Sequence, residues 1–210
     1  MLFENRKEAG KQLAQKLGSY AGREDVLCVG LARGGVIVAA SVSEALNVPL
    51  DVAIVRKVGA PDNPELALGA ISDEGEGVFN EELIAMLGIS KDYIRKEVEK
   101  QRELVRQRKA LYMGDKESLP FEGKVVILID DGIATGASIK VAIEAIRIKM
   151  PEKIVLAVPV APHDALREIS LLVDEVVCLH APTSFGAVGA FYREFSQVTD
   201  EDVMKLISKK

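Results

Sequence analysis

The chain has 210 residues, 48% of them hydrophobic and 28% charged, with a formal net charge of −5. That length favours one domain with a sizeable core, and the acidic balance excludes a surface built to coat nucleic acid, which needs a basic excess. No apolar run approaches the ~18 residues of a membrane-spanning helix, and charges from Glu4 onward interrupt any signal-peptide core, so a cytoplasmic protein is expected.

In chain order, residues 6–17 predict a helix with Leu13 and Leu17 on one face. A β-branched strand follows over Val26–Leu31, then a helix over 35–46 that is apolar nearly all round and therefore buried. Residues 51–56 predict a second strand. The segments 66–72 and 77–80 flank DEGEG and predict an antiparallel hairpin. A short helix over 81–87 and a long charged one over 91–112 come next, the latter with Ser90 as N-cap. Its apolar stripe is thin (Ile94, Val98, Val105, Tyr112), which suits a solvated face or an arm packed on a second copy in a homodimer. Residues 114–124 read as a polar connector. Val125–Ile129 predicts a strand, and Ile139, Ala142, Ile143 and Ile146 form one helical stripe ending before Pro151. Strands over 154–160 and 176–179 alternate with helices over 164–173 and 200–208. Cys28 and Cys178 lie inside apolar runs without a C-x-x-C spacing, so buried thiols are expected and a metal site is not. His163 and His180 read as structural or solvated. Unbroken strands alternating with helices predict an α/β fold, with a mainly parallel twisted sheet covered by helices on both faces. One domain over 1–210 is expected, with 66–113 inserted as a hairpin and long-helix flap.

The chemistry concentrates in ILIDDGIATGAS, residues 127–138. Asp130 and Asp131 stand at a strand's carboxyl end, where ligands of open α/β sheets bind. The helix opening near Gly136 offers unpaired N–H groups and a positive dipole end, a phosphate site. Thr135 and Ser138 add hydroxyls, and Gly132 and Gly136 let the backbone turn tightly. Phosphate at the loop and hydroxyl donors, or a cation, at the carboxylates together describe a ribose 5-phosphate. Neither a Walker A loop nor a G-x-G-x-x-G fingerprint is present, and the further acids of a receiver domain are not evident.

This stretch resembles the signature of the type I phosphoribosyltransferases, departing from it at Gly132, where a larger apolar residue is usual. The resemblance implies that Asp130 and Asp131 contact the ribose hydroxyls of 5-phosphoribosyl 1-pyrophosphate (PRPP). It also implies that Ala134, Thr135, Gly136, Ala137 and Ser138 wrap the 5′-phosphate. GLARGG, residues 30–35, resembles the family's pyrophosphate loop. That assigns Ala32, Arg33, Gly34 and Gly35 to pyrophosphate and implies a cis peptide at Ala32–Arg33. VRKVGAPDNPELALGAIS, residues 55–72, resembles the family's mobile loop over 56–66, which brings Arg56 and Lys57 to the pyrophosphate. Over nearly its whole length the chain is similar to a bacterial and archaeal branch of predicted phosphoribosyltransferases, where RKxGxPxNPELAxGA, DDGIATGA and F-x-x-V-G-x-x-Y recur.

The resemblance implies displacement of pyrophosphate from C1 of PRPP by a nitrogen acceptor. Arg33, Lys57, Asp130 and Asp131 would be the catalytic set. Mg2+ would be carried by PRPP rather than bound directly, with contact to Asp130 and Asp131 through water. Ala134 stands where 6-oxopurine enzymes carry an Asp, which argues against that acceptor and leaves other nucleobases. Glu65 is a candidate general base, though a surface Glu reads the same. Phe185, Phe191 and Tyr192 could stack on a flat acceptor or be core. The family's hood over the acceptor would come from 66–112 or 182–195. A non-catalytic PRPP-binding regulator is the alternative function.

Overall fold

The structure, a computed structural model, describes residues 2–73, 75, 77–114 and 119–207. The Glu65 side chain, Glu74 and Glu76 of DEGEG, residues 115–118 of the expected connector and Ser208 of the helix expected over 200–208 lie outside the described residues.

The chain begins with α1 (Arg6–Lys16), capped by the Asn5 side chain accepting from the Glu8 N–H. β1 (Val26–Leu31), α2 (Gly34–Leu46) and β2 (Leu50–Ala53) follow. Then come β3 (Arg56–Ala60), β4 (Asn63–Ile71), β5 (Val78–Phe79), α3 (Glu81–Met86) and α4 (Lys91–Met113). The remainder is β6 (Val125–Ile129), α5 (Ala137–Ile148), β7 (Lys153–Val160), α6 (His163–Ile169), β8 (Glu175–His180) and α7 (Asp200–Ile207).

The expected parallel sheet is there, with strand order β2-β1-β6-β7-β8. Strand residues alternate between two cores, as the pleat requires. Val26 and Cys28 of β1 and Ile127 and Ile129 of β6 pack with α1, α2 and α7. Leu27, Val29, Val126 and Leu128 pack with α5 and α6 on the other face. Burial on both faces is why these strands read as unbroken apolar runs. Cys28 is buried, whereas Cys178 on the edge strand β8 is only partly so, and the two form no disulfide.

From β1 the chain winds outward to β2, and from β6 it winds the opposite way to β7 and β8. The topological switch point therefore lies between β1 and β6, paired from Val26↔Val125 to Gly30↔Ile129. In such sheets the crevice forms at the carboxyl ends on either side of that point.

Two expectations are corrected. The strand predicted over 51–56 ends at Ala53, and Arg56 opens β3 instead. The loop expected over 56–66 is mostly strand: β3 pairs antiparallel with β4, and β4 with β5, as a second sheet. Gly59 and the prolines mask this pairing in the sequence. A Cβ at Gly59 would lie 2.4 Å from the Pro64 carbonyl oxygen, and the register shifts at Val58/Gly59 and Gly59/Ala60. The second sheet thus begins at Arg56, ahead of the 66–113 segment expected as a flap. Among the described residues no helix is long and apolar enough to cross a membrane.

Candidate active site

The two loops at the switch point meet in space. The peptide between Ala32 and Arg33 is cis, as expected, and α2 starts immediately beyond it at Gly34. A Cβ on Gly35 would lie 2.7 Å from the Ile129 carbonyl oxygen and 2.8 Å from the Asp130 Cα. A Cβ on Gly34 would lie 2.0 Å from Asp131 Oδ2. Only glycines let the 32–35 loop rest on the acid pair, which explains this G-G in physical terms.

Asp130 and Asp131 sit at the end of β6. Asp130 Oδ1 accepts the Asp131 N–H at 2.8 Å. Burial, and the Asp131 charge beside it, push the Asp130 carboxyl well above the usual carboxylate range. Burial also raises Asp131, opposed by the Arg6 guanidinium, whose Nε donates to Asp131 Oδ2 at 2.7 Å. Arg6 is itself fixed, donating to the Ser196 carbonyl at 2.8 Å and lying over the Phe195 ring at 3.7 Å.

The loop beyond the acids has the form of an anion cradle. Ala134, Thr135 and Ala137 are exposed and Ser138 is half-buried. Gly136 has φ 78°, and α5 begins at Ala137 with no capping hydrogen bond from the N-cap side chain position. The first N–H groups of α5, like those of any helix, lack intrahelical acceptors, and they stand at the positive dipole end. Gly132 turns inward: a Cβ there would lie 2.5 Å from Val188 Cγ1 and 3.0 Å from Val160 Cγ1. Val188 takes the room that a larger residue at 132 would need.

Across the crevice from the acids lies an open cleft of about 880 Å³ whose lining includes Ala32, Arg33, Arg56, Lys57, Lys100 and Arg108. The structure therefore brings Arg33 and the Arg56–Lys57 pair together, as the sequence suggested. Lys57 is exposed, whereas Arg56 is half-buried and donates from Nε to Gln101 Oε1 at 2.6 Å. Lys100 and Arg108 of α4 were not anticipated, because in sequence they belong to a long charged run that reads as solvated surface.

The aromatic cluster divides. Phe185 and Phe191 stack at 5.4 Å between centroids, with His180 edge-on to Phe191. Tyr192 is 6% exposed, sits between Phe3 and Phe195, and donates its hydroxyl to the Asp131 carbonyl at 2.6 Å. Its ring has no face open to a flat acceptor, so it buttresses the acid pair rather than stacking on a base. The Phe3 and Glu4 backbone bonds to the 191–194 segment. The segment before α1 and the 191–194 segment thus pair beside Asp131.

Among the described residues no group of three or more His, Cys, Asp and Glu side chains could hold a metal ion. The site fits a Mg2+ held mainly by ligand oxygens and waters, which needs only one or two carboxylates.

Residues 2–195 match the family model of the phosphoribosyl transferase domain. Two Mycobacterium tuberculosis proteins, "Putative phosphoribosyl transferase Rv0571c" and its counterpart MT0597, are each 40% identical over 210 residues, 99% of this chain. The chain spans about half the length of these curated relatives, 47% of each. The crystal structure of TT1426 from Thermus thermophilus superposes with a TM-score of 0.83 at 41% identity, covering 100% of this chain and 99% of that one.

Proposed function

Because the chain belongs to the phosphoribosyl transferase family, we propose that it transfers the 5-phosphoribosyl group of PRPP to a nitrogen acceptor and releases pyrophosphate. The observation that carries this reading is the contact of the 32–35 loop with Asp130 and Asp131, beside the open start of α5. That arrangement provides for each part of PRPP in turn. The 5′-phosphate sits on the α5 N–H groups with Thr135 and Ser138, the ribose hydroxyls donate to the acid pair, and pyrophosphate lies against Arg33.

In the reaction the acceptor nitrogen forms a bond to C1 as the C1–oxygen bond breaks, and the electron pair leaves with pyrophosphate. The acceptor nitrogen loses a proton to base or solvent. The chain's residues contribute position and charge. Arg33 and Lys57 receive the growing negative charge, through charge-assisted hydrogen bonds stronger than neutral ones. Asp130 and Asp131 hold the ring. Mg2+ bound with PRPP would neutralise pyrophosphate oxygens, and Asp130 and Asp131 are the carboxylates that would hold it through water.

The acceptor we propose is a nucleobase other than a 6-oxopurine, because Ala134 places a methyl group at the exposed loop position where a base-reading carboxylate would stand. Phe185 and Phe191 are the aromatic faces on the side of the site bounded by Gly132 and Val188. The test is incubation with PRPP, Mg2+ and a panel of bases, following pyrophosphate. Acceptor-dependent release that disappears in Asp131→Asn is expected. PRPP binding without release on any base would mark a binding protein, and survival of both functions in Asp131→Asn would refute the site.

A further inference from the structure

The cleft beside Arg33 has a second charged wall that the family resemblance does not supply. It is formed by α4 of the flap, packed over β3. Arg33, Arg56, Lys57, Lys100 and Arg108 line the cleft, against one carboxylate among the described lining residues, Glu97. Glu97 already accepts from Gln101 Nε2 at 2.6 Å and from Lys100 Nζ at 3.3 Å. Arg56 donates to the neutral Gln101 amide, so that bond leaves its charge uncompensated. Such an excess of cations in a recess favours an anion.

The two walls also converge on one atom. Arg33 Nη1 lies 3.9 Å from Asp200 Oδ1, and Arg108 Nε lies 3.7 Å from the same oxygen. The Tyr112 hydroxyl donates to it as well. A guanidinium from the 32–35 loop and one from the flap therefore already face a shared anionic oxygen. Both separations exceed hydrogen-bond length, and the Asp200 side chain is 30% exposed. Asp200 is held by the Tyr112 hydroxyl and reaches the two guanidiniums only at long range, so a better-placed anion can take its place at the arginines.

We propose that Arg108 of α4 binds pyrophosphate together with Arg33, and that Asp200 competes with the anion for both guanidinium groups. The flap then supplies part of the leaving-group site, and α4 is a functional wall as well as a solvated arm. The chemistry suits Arg, whose planar fork matches phosphate oxygens bidentately. This inference rests on the transferase reading for its choice of anion, since Arg33 is taken there as the pyrophosphate residue.

The experiment is calorimetric titration of the full chain with inorganic pyrophosphate in the presence of Mg2+, with ribose 5-phosphate as a separate probe. Arg108→Gln is expected to weaken pyrophosphate about tenfold, the loss of one charge-assisted contact, and to leave ribose 5-phosphate unchanged. Asp200→Asn is expected to tighten pyrophosphate, because the competing charge is gone while an oxygen remains to accept from Tyr112. Arg108→Lys, which keeps the charge and loses the fork, should fall between wild type and Arg108→Gln, and melting curves confirm that each variant is folded. Unchanged pyrophosphate affinity in Arg108→Gln, with a loss in Arg33→Gln, overturns the inference and spares the functional reading. An Asp200→Asn variant that binds no tighter overturns the competition. No loss in Arg33→Gln would instead refute the loop assignment, and with it the transferase reading.

Discussion

Arg6 and Asp131, 125 positions apart in the chain, form a 2.7 Å ion pair beneath the 32–35 loop. Both side chains are nearly buried, at 10% and 14% exposure. Removing one partner of such a pair leaves the other charge uncompensated, at a cost of about 3–5 kcal/mol. Arg6→Ala should therefore lower the melting temperature strongly. It should also move the acid limb of PRPP binding. Burial already raises the Asp131 pKa and Arg6 opposes that rise. Without Arg6 the carboxyl takes up its proton at higher pH, so binding is lost at higher pH than in wild type. Titrating PRPP affinity against pH in both proteins checks this. Arg6→Lys should recover only part of the effect, because an ammonium cannot reproduce the guanidinium's Nε bond to Asp131 and its second bond to the Ser196 carbonyl.

Asp130 predicts a trade between stability and binding. Burial and the Asp131 charge raise its pKa in the folded chain. A carboxyl whose folded pKa is raised favours the fold fully below its unfolded pKa, and loses that contribution as pH rises through the folded value. At neutral pH, above the unfolded carboxyl's pKa, the buried Asp130 carboxyl therefore costs stability. Asp130→Asn keeps an oxygen to accept the Asp131 N–H and removes the charge, so it should melt higher than wild type at neutral pH. The gap should close as pH falls. The same variant should lose PRPP binding, as when an active-site strain is relieved. Thermal melts across pH, with PRPP titration, test both halves.

Much of this was legible in the sequence for a physical reason. Strands buried on both faces leave unbroken β-branched runs, and β1, β6 and β7 read directly as such. The acid pair and the small-residue loop are contiguous, so their chemistry could be read together. What escaped was of two kinds. The β3–β4 pairing is interrupted by a register shift at Gly59, which breaks the alternation that marks a strand. Arg6 faces Asp131 from 125 positions away, and Arg108 and Arg33 face Asp200 from 92 and 167 positions away. No local pattern announces such contacts, and in α4 the cleft-lining Arg108 hides among many solvated charges.

Gly132 is a case in which a departure from the family pattern carried information. The room for a side chain there is taken by Val188, which would lie 2.5 Å from a Cβ. Gly132→Ala should destabilise by about 1–3 kcal/mol, the usual cost of overpacking. Val188→Ala alone should also destabilise, by creating a gap. The double variant should lose less than the sum of the two, since each change relieves the other. Additive losses in denaturant melts would show that the two positions do not share this space.

The start of α5 gives the most direct test of the phosphate cradle. Gly136 adopts φ 78°, and a Cβ on it would lie 2.9 Å from Ile169 Cδ1. Gly136→Ala therefore meets both a backbone conformation that L-residues avoid and a contact with the core. It should tilt the first turn of α5 and lose ribose 5-phosphate binding together with some stability. Ser138→Ala separates the two effects. It removes a hydroxyl donor and leaves the backbone N–H groups in place, so ribose 5-phosphate affinity should fall about tenfold, the scale of one hydrogen bond to a charged group. The melting temperature should not change. Inorganic pyrophosphate, bound at Arg33, should be indifferent to Ser138→Ala. Equal losses for both probes would mean that the two phosphate sites are not separate, and that the 5′-phosphate does not rest on α5.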